Sequence, residues 1–380
     1  MNQNRGVSRR KFMGGVATAL TYVGMKPAIE LVGAPAQRTA RPAGYVKISN
    51  NENPYGPSEG VREAMTKAFE ESHMYIGSNG IMNAIAEHHG LETNNILLGA
   101  GSTETLKTID DAFLQGGGNI IGVEPTYETT YRYLTNTHAE GNIIPLTSDY
   151  RHDLHAMAHA VNFDTRFIYI CNPNNPTGTI VSDAEIKELL DSIPENMIVV
   201  IDEAYHHFVE DPAYSSAIKY VKEGRNVIVT RTFSKVYGIA GLRLGYGIAK
   251  LELISRMRPF NLGSINVIAK SAGVRALAEP ETAARVIQLN NSIKKRVMGQ
   301  LGDLGYEVIP SETNFFMVGI GRDIDPVRRA FRERNVEIGR RFPPMTEHLR
   351  ISVGTETEMD RFMEVWNEVM GPADSQADGA

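Results

Sequence analysis

Cysteine is nearly absent from this chain, which has one cysteine among 380 residues. A single cysteine cannot form an internal disulfide in any compartment, and no set of cysteines has the spacing of a metal site. A nucleic-acid surface is also excluded, because the formal net charge is −6 and the sequence contains no basic stripe. The sequence therefore predicts no disulfide-stabilised fold, no metal centre and no nucleic-acid partner.

Heptad runs and repeats of solenoid length are missing as well. With 42% hydrophobic and 22% charged residues, the composition is that of an ordinary soluble globular protein. The length leaves room for two domains.

The N-terminal segment has a different character from the rest of the chain. SRRKFM precedes a mildly apolar stretch that Gly14, Gly15 and Lys26 interrupt, and the small residues APA end at Ala36. This pattern is typical of a twin-arginine export signal and is too short to span a membrane securely. We expect residues 1–36 to be a signal peptide for export to the periplasm, without stable membrane insertion. The alternative is a basic N-terminus on a cytoplasmic protein.

Three polar residues each follow a short apolar run that is rich in β-branched side chains. Asn175 comes after FIYI, Asp202 ends MIVVID, and Lys235 comes after NVIVT. Such runs are typical of strands buried on both faces of a parallel sheet. Their spacing of roughly thirty residues matches one strand, a crossover helix and a return strand. We therefore expect the three side chains to meet outside the carboxyl ends of the strands, where ligands bind in open α/β sheets.

An amine, a carboxylate and an amide in one cleft suit a carbonyl cofactor with a basic ring nitrogen. A lysine can form a Schiff base with the carbonyl, and an aspartate can hold the proton of the ring nitrogen. Pyridoxal 5'-phosphate has both features.

A phosphate cradle for this cofactor is also predicted. The segment NNILLGAGSTETLKTI has the pattern of a strand, a Gly-rich turn and a helix, which places Gly101, Ser102 and Thr103 at a helix N-terminus. Arg243 can form a bidentate pair with phosphate. Thr232 and Ser234 add hydroxyl groups beside Lys235.

A series of short motifs runs from about Asn50 to Thr355. They are NNENPYGPS, GAGSTE, EPTY, NPNNPTG, DEAY, TFSKVYGIAGLRLGY, TNFFMV and LRISVGT. Together they resemble the class I/II pyridoxal-phosphate-dependent aminotransferases of fold type I, and the chain is most similar to the histidinol-phosphate aminotransferase group. The resemblance implies an α/β fold with a mostly parallel central sheet, helices on both of its faces, and a smaller α+β domain.

The resemblance also implies a role for each matching residue. Lys235 is implied as the Schiff-base lysine, Asp202 as the partner of the ring nitrogen, and Asn175 and Tyr205 as donors to the ring oxygen. Tyr127 matches the aromatic residue that stacks on the ring. The implied phosphate contacts are Gly101, Ser102, Thr103, Thr232, Ser234, Arg243 and, from the other subunit of a homodimer, Tyr75. Tyr55, Arg340 and Arg350 match residues on the substrate side, with Arg350 holding the substrate carboxylate.

Domain boundaries follow from the same pattern. We expect an extended arm over residues 45–57 and a large cofactor domain over residues 58–277. A bridging helix with apolar residues every three or four positions from Glu281 to Leu301 opens a small domain over residues 278–370. Residues 371–380 are expected to be disordered.

Several residues have simpler interpretations. Asp202 could cap a helix, and Asn175 could be a turn former. His152, His155 and His159 share helical spacing but have no carboxylate partners, so a polar surface is favoured over a metal site. His206 and His207 follow DEAY, yet the amine of Lys235 is the better base. Cys171 is expected to be a small buried hydrophobe.

The predicted reaction is transamination between an amino acid and a 2-oxo acid. Lys235 acts as general base at the substrate Cα, and Asp202 keeps the ring nitrogen protonated. An amino acid is the favoured donor, with aromatic or other bulky side chains as candidates, and histidinol phosphate is the alternative. Rival functions are a decarboxylase of an amino acid phosphate, a nicotinamide dehydrogenase, for which GAGSTE lacks a third glycine, and a catalytically silent binding protein.

Overall fold

Apolar runs of the predicted kind form strands throughout the computed structural model, which describes residues 44–134 and 137–373. The strands are β1 (Val46–Ile48), β2 (Ile96–Gly99), β3 (Gly118–Glu124), β4 (Ala139–Pro145), β5 (Thr165–Cys171), β6 (Ile198–Asp202), β7 (Val227–Thr232), β8 (Gly245–Ala249), β9 (Val308–Ile309), β10 (Phe315–Gly319), β11 (Val336–Ile338) and β12 (His348–Ser352). The helices are α1 (Glu59–Ala68), α2 (Asn79–His89), α3 (Ser102–Phe113), α4 (Thr129–Tyr133), α5 (Leu154–His159), α6 (Asp183–Ser192), α7 (Ile218–Lys222), α8 (Leu251–Met257), α9 (Val267–Leu277), α10 (Pro280–Asp303), α11 (Ile324–Glu333) and α12 (Glu356–Val369). The predicted signal peptide at residues 1–36, and residues 374–380 of the predicted tail, lie outside this described part.

The central sheet has the strand order β2-β8-β7-β6-β5-β3-β4. Its strands are parallel except β8, which runs antiparallel to both of its neighbours. In the register, Cys171 pairs with Asp202 and Asp202 pairs with Thr230. The carboxyl ends of β5, β6 and β7 therefore meet at one edge of the sheet, as the sequence predicts.

Both faces of this sheet are buried. Along β5 and β6, Ile168, Ile170 and Val199 belong to one apolar cluster, while Phe167 and Tyr169 belong to another. Helices α2, α6 and α9 supply apolar side chains to the first cluster, and α3 and α8 supply them to the second. This explains why the strands are apolar at consecutive positions, and it confirms the predicted fold class.

A smaller region follows helix α10. Strands β12, β10 and β9 form an antiparallel sheet in that order, and β1 pairs in parallel with β11. Their apolar side chains share a core with α11 and α12 that includes the fully buried Trp366. The predicted arm at residues 45–57 thus begins as a strand, because Val46 and Ile48 are buried in this core.

The predicted bridging helix is α10. Pro280 occupies its first turn, where a missing backbone N–H costs little. Asn291 donates to the Phe208 carbonyl at 3.2 Å, and the buried Lys294 amine donates to the Ser311 carbonyl at 2.6 Å. Within the part of the chain that the structure describes, no helix has the length and apolar character needed to cross a membrane.

Candidate active site

A cavity of about 220 Å³ lies at the carboxyl edge of the central sheet. Predicted site residues on its lining are Ser102, Thr103, Tyr127, Asp202, Tyr205, Thr232, Ser234, Lys235 and Arg243. Asn50, Glu52, Ala204 and Ala240 also line it, and the sequence did not identify them as site residues. The structure brings the predicted amine, carboxylate and phosphate-binding groups to one space.

Asp202 is the last residue of β6 and is almost fully buried. Burial raises the pKa of its carboxyl group to about 6, although a hydrogen bond from Thr230 opposes the shift. That bond joins Thr230 Oγ1 to Asp202 Oδ1 at 2.9 Å. The carboxylate is therefore held in one orientation and is suited to pair with a cationic group in the cavity.

Lys235 lies three residues after β7 and directs its amine into the same cavity. Burial, reinforced by the positive charge of Arg350, lowers the pKa of Lys235 to about 8. Its Nζ is 3.4 Å from the Asn50 carbonyl oxygen and 5.3 Å from the centre of the Tyr205 ring. Near pH 8 a large share of this amine is neutral, which is the nucleophilic and basic form.

An anion cradle lies at the N-terminus of α3. Gly101 precedes this helix with φ of +83°, and a Cβ atom on it would lie 2.1 Å from Arg243 Nη2. The Arg243 guanidinium donates to Ser234 Oγ at 3.3 Å and to the Ala240 carbonyl at 3.0 Å. It has no ion pair with a carboxylate of the described residues. A cation without a counter-charge beside free helix N–H groups is a site for a phosphate.

Two tyrosines complete the cavity walls. The Tyr127 hydroxyl is 3.0 Å from Thr103 Oγ1, and its half-buried ring lines the cavity. The Tyr205 hydroxyl accepts a hydrogen bond from Asn51 Nδ2 at 3.1 Å. Burial raises the pKa of Tyr205, so its phenol stays protonated and remains a hydrogen-bond donor.

Arg350 lies on β12 beside the cavity and is buried. Its guanidinium donates to Asn175 Oδ1 and to the Ser49 carbonyl, both at 2.6 Å. Its Nε has no hydrogen-bond partner among the described residues. Burial lowers the pKa of Arg350 to about 10, which leaves it charged at neutral pH. Asn175 thus contacts the predicted carboxylate-binding arginine and does not line the cavity itself.

Besides Gly101, Asn175 and Arg350, three more predicted residues do not line the cavity. Tyr55 lies in a small adjacent pocket with Phe208 and Asn314. Tyr75 is fully exposed. Arg340 is exposed and paired with Glu128, with Arg340 Nη2 at 2.9 Å from Glu128 Oε1.

Glu52 and Asn51 are site residues that the sequence reasoning missed. The charge of Glu52 raises the pKa of Lys235 and so opposes the effect of burial. Asn51 has a φ of 56°, and its side chain contacts Tyr205 and Ser352. Both belong to the motif NNENPYGPS, whose tyrosine alone was singled out.

The histidines take no part in this cavity. His152, His155 and His159 line a separate cleft of about 540 Å³ against α6, and no group of metal-ligating side chains occurs among the described residues. His206 and His207 are half-buried, and burial lowers the pKa of both rings. Cys171 is buried, as predicted.

The cavity therefore fits the predicted cofactor. It offers a partly neutral amine, a buried carboxylate and a cation without a counter-charge at a helix N-terminus. These are the groups that the carbonyl, the ring nitrogen and the phosphate of pyridoxal phosphate require.

The chain is similar to known proteins in both sequence and fold. The family model described as aminotransferase class I and II matches residues 43–365. The chain is similar to the histidinol-phosphate aminotransferase of Moorella thermoacetica, with 35% identity over 350 residues and 89% of each chain covered. It is similar to the aromatic amino acid aminotransferase of Cutibacterium acnes, with 35% identity over 86% of this chain and 92% of that protein. The structure resembles that of histidinol-phosphate aminotransferase from Sinorhizobium meliloti in complex with pyridoxal-5'-phosphate, with a TM-score of 0.80, 26% identity and coverage of 87% and 91%.

Proposed function

Because the chain belongs to the class I and II aminotransferase family, and is thus a pyridoxal-phosphate-dependent transaminase, we propose that its amino donor is an aromatic or other bulky, uncharged amino acid. The supporting observation is Phe342, a buried ring whose centre lies 4.6 Å from Arg350 Cζ. An apolar ring beside the carboxylate-binding arginine suits an apolar donor side chain. The similarity to the aromatic amino acid aminotransferase of Cutibacterium acnes agrees with this proposal.

The cofactor, when bound, supplies an aldehyde that takes up the amino group and a ring that accepts the electron pair released at the substrate Cα. Asp202 would hold the ring nitrogen. Ser102, Thr103, Thr232, Ser234 and Arg243 would hold the phosphate. Tyr127 and Tyr205 would contact the ring.

The protein's own groups bind the substrate and move the proton. Arg350 binds the α-carboxylate through charge-assisted hydrogen bonds, for which its Nε is available. The Lys235 amine removes the Cα proton as a general base, because its lowered pKa leaves it partly neutral near pH 8, and it would deliver a proton to the carbon of the cofactor that carried the aldehyde.

Histidinol phosphate is the second candidate donor. It is supported by the similarity to the Moorella thermoacetica enzyme and by Arg340, which matches an arginine associated with a substrate phosphate. The neighbouring RFPPM differs from the pattern usual in that group.

A donor screen tests the proposal. Purified holoenzyme is incubated with phenylalanine, tyrosine, methionine, glutamate, aspartate and histidinol phosphate, each with 2-oxoglutarate or pyruvate, and the keto acid products are quantified. We expect the highest kcat/KM with an aromatic donor. A preference for histidinol phosphate would replace the proposed donor, and release of carbon dioxide without keto acid would overturn transamination.

We also propose that the protein acts as a homodimer. Phe69, Met74 and Tyr75 are exposed apolar or aromatic side chains within a short segment after α1, and Leu262 is a further one. Exposed apolar side chains that lie close together mark association surfaces, and the family resemblance assigns Tyr75 to the partner's phosphate site.

Export through the twin-arginine route is a further proposal. It is supported by Arg9 and Arg10 in SRRKFM and by APA at residues 34–36. Cell fractionation tests it: replacing both arginines with lysine should retain the protein in the cytoplasm. Export of that variant would overturn the proposal, and sequencing of the mature N-terminus locates the cleavage site.

A further inference from the structure

An ion pair joins two distant segments beside the cavity. Arg340, in the loop after β11, contacts Glu128, which immediately precedes α4, with 2.9 Å between Nη2 and Oε1. Arg340 Nη1 also donates to the Arg341 carbonyl at 2.9 Å. Contacts from both of its Nη atoms therefore hold the Arg340 guanidinium in place.

This pair is adjacent to both sides of the proposed substrate site. Glu128 follows Tyr127, whose ring lines the cavity. Arg340 Cζ lies 4.2 Å from the centre of the Phe342 ring, and Arg350 Cζ lies 4.6 Å from the same ring. The Phe342 ring, which we assign to the donor side chain, therefore has Arg350 and the Arg340–Glu128 pair beside it.

Arg340 already has a carboxylate partner before any substrate binds. Glu128 accepts hydrogen bonds from both Arg340 and Arg132. A substrate with a distal phosphate or carboxylate has to displace Glu128 from Arg340 and also approaches the Glu128 carboxylate, which has the same charge. A donor with a neutral side chain neither has to displace Glu128 nor is repelled by its carboxylate.

We propose that Glu128 is a specificity-determining residue that, by pairing with Arg340, favours donors with a neutral side chain over donors with a distal anion. This inference rests on the proposed function and deepens it. Glu128 acts through Arg340, so it is a positioning residue rather than a catalytic one. Because both partners are partly exposed, with 37% and 47% of their side chains accessible, the expected effect is moderate, roughly two- to tenfold.

The test compares Glu128→Gln with the wild-type holoenzyme, using pyruvate as acceptor so that no second distal anion is present. We expect the kcat/KM ratio of glutamate to phenylalanine, and of histidinol phosphate to phenylalanine, to rise roughly two- to tenfold, mainly through KM. A binding readout accompanies it: the dissociation constant of glutarate should fall relative to that of 3-phenylpropionate by calorimetry. Glu368→Gln, which breaks another exposed Arg–Glu pair with a 2.9 Å contact, is the matched control and should change neither ratio.

The double variant Glu128→Gln/Arg340→Gln separates pairing from simple charge removal. If Arg340 is the group that Glu128 masks, the gain for anionic probes disappears in the double variant. Persistence of the gain, or unchanged ratios in Glu128→Gln, would overturn the inference. If the wild-type enzyme transaminates none of the amino acids, the proposed function fails; if it transaminates phenylalanine and the ratios do not move, only the role of Glu128 fails.

Discussion

Asp202 carries a buried negative charge, and its replacement is the sharpest test at the scale of one residue. Asp202→Asn keeps the shape and the contact with Thr230 but removes the charge. In the holoenzyme this charge would pair with the protonated ring nitrogen of the cofactor. Loss of one partner of a buried ion pair costs about 3–5 kcal/mol, and each 1.36 kcal/mol changes a rate about tenfold. We expect turnover to fall by roughly a hundredfold or more, as measured by steady-state kinetics.

His206→Ala is the comparison for this variant. His206 follows Asp202 by four residues but does not line the cavity, so turnover should change little, with folding checked by thermal denaturation. A near wild-type rate for Asp202→Asn would contradict the role given to its charge.

Arg350 affects the protonation of Lys235 as well as substrate binding. Its positive charge helps to lower the pKa of Lys235 to about 8. The amine reacts when neutral, so capture of pyridoxal phosphate by the apoprotein should accelerate as pH rises through about 8. Arg350→Gln removes a positive charge that disfavours the ammonium form of Lys235, so the pKa of Lys235 should be higher in this variant. The acceleration of cofactor capture should therefore move to higher pH. Stopped-flow absorbance measures this profile.

Arg334→Gln is a suitable control for the pH profile, because Arg334 pairs with Glu368 on the surface. Its profile should match that of the wild type. An identical profile for Arg350→Gln would show that the charge of Arg350 does not contribute to the pKa of Lys235.

Some site residues could be placed from the sequence and others could not. Asp202 and Lys235 follow apolar runs whose strand character is local, so their positions at the sheet edge were predictable. The bond between Arg350 and Asn175 joins residues 175 positions apart. No local pattern indicates such a pair, and none indicated that Glu52 would face Lys235.

At the scale of secondary-structure elements, the N-terminus of α3 depends on one glycine. Gly101 has a φ of +83°, and an added Cβ would lie 2.1 Å from Arg243 Nη2. Gly101→Ala therefore strains the turn, at about 1–3 kcal/mol, and displaces the guanidinium from the cradle. We expect affinity for pyridoxal phosphate to fall by roughly tenfold or more, as measured by equilibrium dialysis.

Gly116→Ala provides the matched glycine control. A Cβ at Gly116 has no atom within 4 Å, so cofactor affinity should stay near that of the wild type. Equal affinities for the two variants would mean that Gly101 does not shape the phosphate site.

Helices and strands were predictable from the sequence where the spacing of apolar residues was regular. The stripe from Ala283 to Leu301 identified α10, and the β-branched runs identified β5, β6 and β7. The partner of β1 was not predictable, because the pairing of Val46 with Val336 spans most of the chain. Along α10 the polar Asn290 is buried, whereas the neighbouring apolar Leu289 is only half-buried. The apolar stripe could not indicate this, because Asn290 donates to the Thr313 carbonyl, which is a tertiary contact.

At the scale of the whole molecule, the proposed dimer would combine two chains in each site. Tyr75 is fully exposed and lies outside the cavity of its own chain. If Tyr75 completes the partner's phosphate site, each site contains Lys235 from one chain and Tyr75 from the other. Lys235→Ala and Tyr75→Ala then damage the two contributions separately. Each variant alone should have low activity, since both of its sites carry one defect.

Mixing the two variants under conditions that exchange subunits tests this arrangement. In a mixed dimer, one site receives both defects and the other receives Lys235 and Tyr75 intact. Since about half of the dimers are mixed and each has one good site, activity should recover to roughly a quarter of the wild-type value. Wild-type subunits mixed with Lys235→Ala control for exchange, and light scattering confirms the dimer. Absence of recovery with proven exchange would show that Tyr75 does not act across the interface, because a residue that serves only its own chain leaves one defect in each site of the mixed dimer and no complete site.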